Sequence, residues 1–270
     1  MPELESRLER LVRGGVEFVV VGGFAAATPP LLSPEPVVLG DIPLRIDPAE
    51  VRAFHGYKPL RPAAPDQLGV QLEAARAAIA AVIHPRLVYR VVAVAERAPH
   101  RLALAGGTRL HIPHVEAHWG PVEAVAVALA TVGDEPEALI VARREAGDAD
   151  AASCLDSAAS AAVECLAEWA NDHLCQRGVA AGLRVTNRIS PGLAGWNLAE
   201  QPLLFGLCPG DAIGVGLRPD GAMTRAKSIS LLIGIGREAR VDHYFVQCRR
   251  CWAEACQARR IPAVATVIGS

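Results

Sequence analysis

Apolar residues recur at two spacings along this chain, and the changes between them divide it into elements. Residues 3 to 13 alternate leucine with charge at helical spacing until Gly14-Gly15 ends the run, and Val16 to Val21 reads as a strand. The proline-rich stretch from 34 to 48 reads as an arm or short strands, and Ile46-Asp47-Pro48 leads into a helix starting near Ala49. Gln67 to Val82 has the spacing of a long amphipathic helix. Val88 to Glu96, Leu102 to Leu104 and Arg109 to Ile112 read as strands joined by short turns, the second holding Gly106-Gly107, so antiparallel pairing is expected.

Val122 to Thr131 fits either a helix or a buried strand, and Ala138 to Glu145 a helix. Ala149 to Gln176 is the clearest helix of the chain. Its alanine-rich faces allow another element to approach closely, which predicts a central position, and Arg177-Gly178 reads as its stop. A helix near Leu198 to Leu207, strands over Ala212 to Leu217 and Ser228 to Ile235, and a C-terminal helix holding cysteines complete the series. Helices and strands mix without regular βαβ alternation or an internal repeat. The expected fold class is therefore α+β, a twisted antiparallel sheet flanked by helices. Residues 1–48 are expected to form an N-terminal helix, strand and proline-rich arm, and 49–270 one domain.

Composition narrows the function. A hydrophobic fraction of 51% with 21% charged residues is ample for a buried core. The net charge of −2 is made of scattered charges of both signs, which leaves no basic footprint for nucleic acid and no polybasic membrane patch. The uncharged run Phe18 to Leu32 contains Gly22, Gly23, Pro29 and Pro30, and it is shorter than the roughly 20 apolar residues of a membrane-spanning helix. Glu3, Glu5, Glu9 and Glu17 do not suit a secretory leader, so a cytoplasmic location is expected. Glu17 to Ala26 faintly resembles the start of minimal nucleotidyltransferases, but the closely paired metal-binding acids of such enzymes do not follow, since Asp41 and Asp47 stand six residues apart.

Candidate chemistry concentrates in Arg188-Ile-Ser-Pro-Gly-Leu-Ala-Gly-Trp196, which places a fixed cation beside a Pro-Gly turn. Pro191 presets one backbone torsion and Gly192 accepts torsions that other residues refuse, so the backbone can come close to a ligand while Arg188 offers a planar fork to a carboxylate. Glu164 and Glu168 stand i,i+4 on the preceding helix and could meet a ligand's cationic groups. Together these residues suit a small zwitterion. An ordinary surface turn with a salt-bridged arginine is the plainer reading.

Further along lie Glu200-Gln201, Leu203-Leu-Phe205, Ala212-Ile-Gly-Val-Gly-Leu217, Met223 and Lys227-Ser-Ile-Ser-Leu-Leu-Ile-Gly234. With Val51-Arg-Ala-Phe-His-Gly-Tyr57, Pro85-Arg86, Val88-Tyr89, Ala130-Thr-Val-Gly133 and Leu155-Asp-Ser-Ala-Ala-Ser160, this order resembles the activation domain of vitamin B12-dependent methionine synthase, and more closely its stand-alone relatives. The resemblance spans roughly Ala49 to Arg260. It implies the same α+β fold, S-adenosylmethionine held by Arg188 and the Ser190–Gly192 turn with Glu164 or Glu168, and a corrinoid carried by a partner methyltransferase that is reactivated with an external reductant. Leu193 stands where the family has tyrosine, which removes a hydroxyl and an aromatic face from the expected site; Trp196 could supply an aromatic surface or serve packing alone. Asp156 and Lys227 match family positions, and their plainer roles are helix cap and charge partner.

Two other sites compete. Of the seven cysteines, Cys248, Cys251 and Cys256 crowd together and could bind zinc or an iron-sulfur cluster, with Cys208, Cys175 or His243 as fourth ligand. Free thiols with pKa values lowered by the neighbouring arginines are the alternative. His111, His114 and His118 with Glu116 have ligand-like spacing, interrupted by Pro113. The functional alternatives to a reactivation protein are thus a non-catalytic corrinoid-protein binding module and a cysteine-based electron carrier.

Overall fold

The sheet grows outward from a strand that is covered on both faces. The computed structural model describes residues 31, 35–56, 65–192 and 195–241. Within them Ala124–Thr131 (β5) is buried at every position. Alternation sorts its side chains: Ala124, Ala126, Ala128 and Ala130 enter one apolar cluster, and Val125, Val127 and Leu129 the other. The segment left open between helix and strand is therefore a strand, as suits a short apolar run with β-branched residues at alternate positions.

Antiparallel neighbours lie on either side of β5, namely Arg86–Ala98 (β2) and Ser228–Gly236 (β7). Val37–Leu39 (β1) pairs with the first half of β2 and Arg101–Leu104 (β3) with the second, their pairing broken by a register shift between Val94 and Glu96. Arg109–Leu110 (β4) pairs with β3, and Arg184–Val185 (β6) closes the other edge on β7. The order β4-β3-β2-β5-β7-β6 with β1 on β2 confirms the α+β antiparallel sheet expected.

Helices Pro48–Gly56 (α1), Pro65–Ala80 (α2), Glu135–Glu145 (α4) and Ala149–Ala180 (α5) join the core on the alanine face of β5, whereas Val115–Trp119 (α3) lies at the other. The alanines of α5, among them Ala158, Ala161 and Ala162, share that core with the alanines of β5. Small side chains on both elements let the helix sit close to the sheet. Asp148 caps α5, its Oδ1 accepting the Ala151 N–H at 3.1 Å.

Three expectations need correction. Helix α5 does not stop at Arg177-Gly178 but runs on to Ala180, since Gly178 is there to admit a strand: a Cβ on it would stand 2.5 Å from Val185 Cγ2. The stop is Gly182, with φ 71°, where the Leu183 and Gly182 N–H groups donate to Gly178 O and Val179 O at 2.8 and 3.1 Å. The expected strand Ala212 to Leu217 is instead a 3-10 turn, Gly210–Ile213, ended by Gly214 at φ 74°. Gly210 fits there because any Cβ would run into the backbone carbonyl oxygen of Val215 and lie 2.8 Å from Phe205 Cε1, and only the isolated bridge Leu217 to Met223 follows. The helix near Leu198 to Leu207 divides into a 3-10 turn, Leu198–Glu200, and α6, Gln201–Leu207, since Pro202 has no N–H to donate and sits in the first turn of α6. The expected elements in 3–21 and the C-terminal cysteine helix lie outside the described residues.

Candidate functional site

Helix α5 presents Glu164, Glu168 and Asn171 at i, i+4 and i+7, one face of a helix. After Gly182 the chain returns along the free edge of β7. Thr186 N–H donates to Gly234 O at 2.9 Å, and Ile189 and Leu232 exchange bonds of 2.9 and 2.8 Å. Glycine at 234 admits this approach and the packing beside it, because a Cβ there would lie 3.0 Å from Thr186 Cγ2, 2.7 Å from Val122 Cγ1 and 2.9 Å from Trp119 Cε3. Between those two anchor points Arg188 turns to α5, its backbone N–H donating to Asn171 Oδ1 at 2.9 Å.

The guanidinium of Arg188 donates through Nη2 to Glu164 Oε1 at 2.8 Å and to Glu168 Oε1 at 2.6 Å. Exposure rises outward across the three, from 3% at the arginine to 25% at Glu164 and 60% at Glu168. Burial works against the charge on Arg188, but the two carboxylates outweigh it and hold the pKa above the ordinary arginine value. Two carboxylates against one guanidinium leave the group with one net negative charge. Sequence reading placed these residues together but aimed them at opposite ends of a ligand; here they pair with one another.

Beyond Arg188, Ser190 and Pro191 are buried, and Ser190 Oγ has no hydrogen-bond partner among the described residues. Gly192 takes φ 87°, and its N–H donates to Trp196 O at 2.8 Å, which closes the Pro-Gly turn. Leu193 lies outside the described residues. Trp196 is buried in the second core cluster, and its Nε1–H donates to Glu200 Oε2 at 3.0 Å, so it packs rather than offering an open aromatic face. Asn171 and Glu200 are the contributors that sequence reasoning missed. Asn171 could have been found by continuing the Glu164–Glu168 face one turn further, whereas Glu200 stood out only as part of the family-like order and nothing local marks its role.

Asp156 and Lys227 pair with each other: Lys227 Nζ donates to Asp156 Oδ1 at 2.5 Å and to Ser160 Oγ at 3.1 Å, tying α5 to the start of β7. The three histidines do not converge. His111 Nδ1 lies 3.1 Å from Glu200 Oε1, and the His114 N–H donates to His100 Nδ1 at 2.9 Å. Among the described residues no group of three or more His, Cys, Asp or Glu could hold a metal ion. Cys248, Cys251, Cys256 and His243 lie outside them. Cys208 is a core residue whose Sγ–H donates to Val88 O at 3.6 Å.

The sheet and its helices define a class, α+β proteins in which a curled antiparallel sheet is flanked by helices. Among solved structures the chain is similar to the reactivation domain of MetH in a crystal structure bound to AdoHcy, with a TM-score of 0.52, 13% identity, and coverage of 83% of this chain and 85% of that one. At that identity the likeness shows the fold. No protein-family model and no curated protein matches the chain. No described helix is long and apolar enough to cross a membrane.

Proposed function

We propose that this chain binds S-adenosylmethionine at the Arg188–Gly192 loop and assists the reductive remethylation of a corrinoid held by a cytoplasmic methyltransferase partner. The observation that carries the reading is the buried Arg188 with two carboxylates, set on the loop that leaves the β7 edge, in a fold shared with a domain solved bound to AdoHcy. The residues fit such a ligand chemically. A guanidinium fork matches an amino-acid carboxylate, the glutamates match an ammonium or sulfonium, and the buried Ser190 hydroxyl is available to donate or accept. The methyl group and the cobalt chemistry belong to ligand and partner; the protein's part is to bind and orient.

Calorimetric titration of S-adenosylmethionine into wild type and Arg188→Lys tests this. Lysine keeps the charge between the glutamates but loses the fork. Saturable binding that weakens at least about tenfold in the variant is expected, a bidentate charge-assisted contact contributing ~1.5–3 kcal/mol. Wild-type protein that takes up no ligand overturns the reading.

One observation favours a second reading, a docking module without ligand. Both acceptors on Arg188 Nη2 are the protein's own carboxylates, so a ligand carboxylate has to share or displace them. On that reading a corrinoid protein binds with the same affinity whether or not S-adenosylmethionine is present.

A further inference from the structure

The loop that would meet the ligand is fixed at two ends by different means. Its entry is held by the sheet, through Ile189 and Leu232. Its exit is held by Trp196, which packs in the second core cluster and bonds to one carboxylate. Glu200, 15% exposed, accepts the Trp196 Nε1–H at 3.0 Å and the His111 backbone N–H at 2.9 Å, with His111 Nδ1 3.1 Å away. Trp196 in turn accepts the Gly192 N–H. The position of Glu200 is itself set by Gln201, a buried side chain whose Nε2 donates to Gly221 O at 2.7 Å and whose Oε1 accepts from Ser230 Oγ of β7 at 3.2 Å. The path therefore runs from β7 through Gln201, Glu200 and Trp196 to Gly192.

We infer that Glu200 is a positioning residue of the ligand loop: it sets the closed Gly192–Trp196 turn by holding the indole N–H of Trp196 against the His111 end of the β4 strand. This rests on the proposed S-adenosylmethionine reading for its functional consequence, but not for its structural one. A carboxylate suits the role because it accepts on both oxygens, and the groups around it are N–H donors. An amide has one accepting oxygen and would turn its own N–H₂ toward a donor.

The test uses Glu200→Gln, Trp196→Phe and the double variant in the full chain. Trp196→Phe removes the donor and part of the buried ring, whereas Glu200→Gln leaves the packing in place and serves as its control. Two readouts are taken, calorimetric affinity for S-adenosylmethionine and amide exchange of the peptide containing Gly192. Each single variant is expected to weaken affinity about tenfold and to speed Gly192 exchange by a similar factor. The double variant is expected to be no worse than either, since both cut the same link. A role in stability alone would lower the melting temperature and leave both readouts unchanged well below it. Unaltered Gly192 exchange in Glu200→Gln, or additive effects in the double variant, overturns the inference. Wild type that binds no S-adenosylmethionine removes the ligand reading, and Gly192 exchange then decides the positioning role alone.

Discussion

Replacing Arg188 by methionine isolates what the charge group contributes to stability. The substitution keeps much of the aliphatic stem and leaves Glu164 and Glu168, one helical turn apart, facing each other without their cation. Removing one partner of a buried ion pair costs about 3–5 kcal/mol. Both glutamates reach solvent, at 25% and 60% exposure, and can rehydrate, which places the expected loss near the lower bound. In a domain of this size about 3 kcal/mol corresponds to a drop of ~6–12 °C in melting temperature. Glu168→Gln removes only the exposed arm and should cost about 0.2–1 kcal/mol, the range of exposed pairs. Glu164→Gln should fall between the two. Urea unfolding followed by circular dichroism gives all three values. If Glu168→Gln costs as much as Arg188→Met, the graded burial of the group does not control its energetics and the reasoning fails.

Three further predictions rest on separate features. Gly178→Ala gains about 1 kcal/mol of helix propensity but pushes a methyl against Val185, an overpacking of about 1–3 kcal/mol, so a net destabilisation that Val185→Ala partly relieves is expected in urea melts; a more stable single variant would contradict it. The Cys208 thiol is pushed up to about 12 by burial, against a small opposing effect of Arg90, so native protein should resist iodoacetamide at pH 8 at this position and react once unfolded, as peptide mass spectrometry would read. His173 has its pKa lowered, first by burial and then by Arg177, so its neutral form supports the fold above the unfolded-state value and that support is lost as pH falls below about 6.5. His173→Gln should flatten stability against pH in that acid range, and an unchanged slope would refute the assignment.

Much of this architecture is legible from periodicity, because it depends on which face each residue presents. The short apolar runs of β2 and β7, rich in β-branched residues, and the alanine stripe of α5 are local signals, and each led to the observed element. Contacts between distant segments are not encoded that way. Gly178 reads as a helix stop until Val185 is seen against it, and Ala212 to Leu217 as a strand until the 3-10 turn begun at Gly210 is seen. At the candidate site the Pro-Gly turn was readable because proline and glycine act on their own torsions. A salt-bridged Arg188 was the plainer reading of that turn; that it is buried and that its partners are Glu164 and Glu168 was not readable, since this depends on how residues 184 to 189 lie along β7. Glu200 was equally hidden, with two of its three donors on His111 across the fold.

Under the proposed function, a zwitterionic ligand enters a group that already carries both charges, so it binds by exchange of partners rather than by filling an empty site. The two glutamates are not equivalent in that exchange. Glu168, the more exposed, can turn into water at little cost and release Arg188 Nη2 to the ligand carboxylate. Glu164 is less exposed, retains its bond to the guanidinium, and is the better placed to meet the ligand's cation where screening is weaker. Glu164→Gln should therefore weaken S-adenosylmethionine binding by about tenfold, the value of one charge-assisted contact, while Glu168→Gln leaves it equal or tighter by removing a competitor. Calorimetry on the two variants separates the roles. The opposite ranking would assign the ligand's cation to Glu168 and require that Arg188 be opened from the Glu164 side.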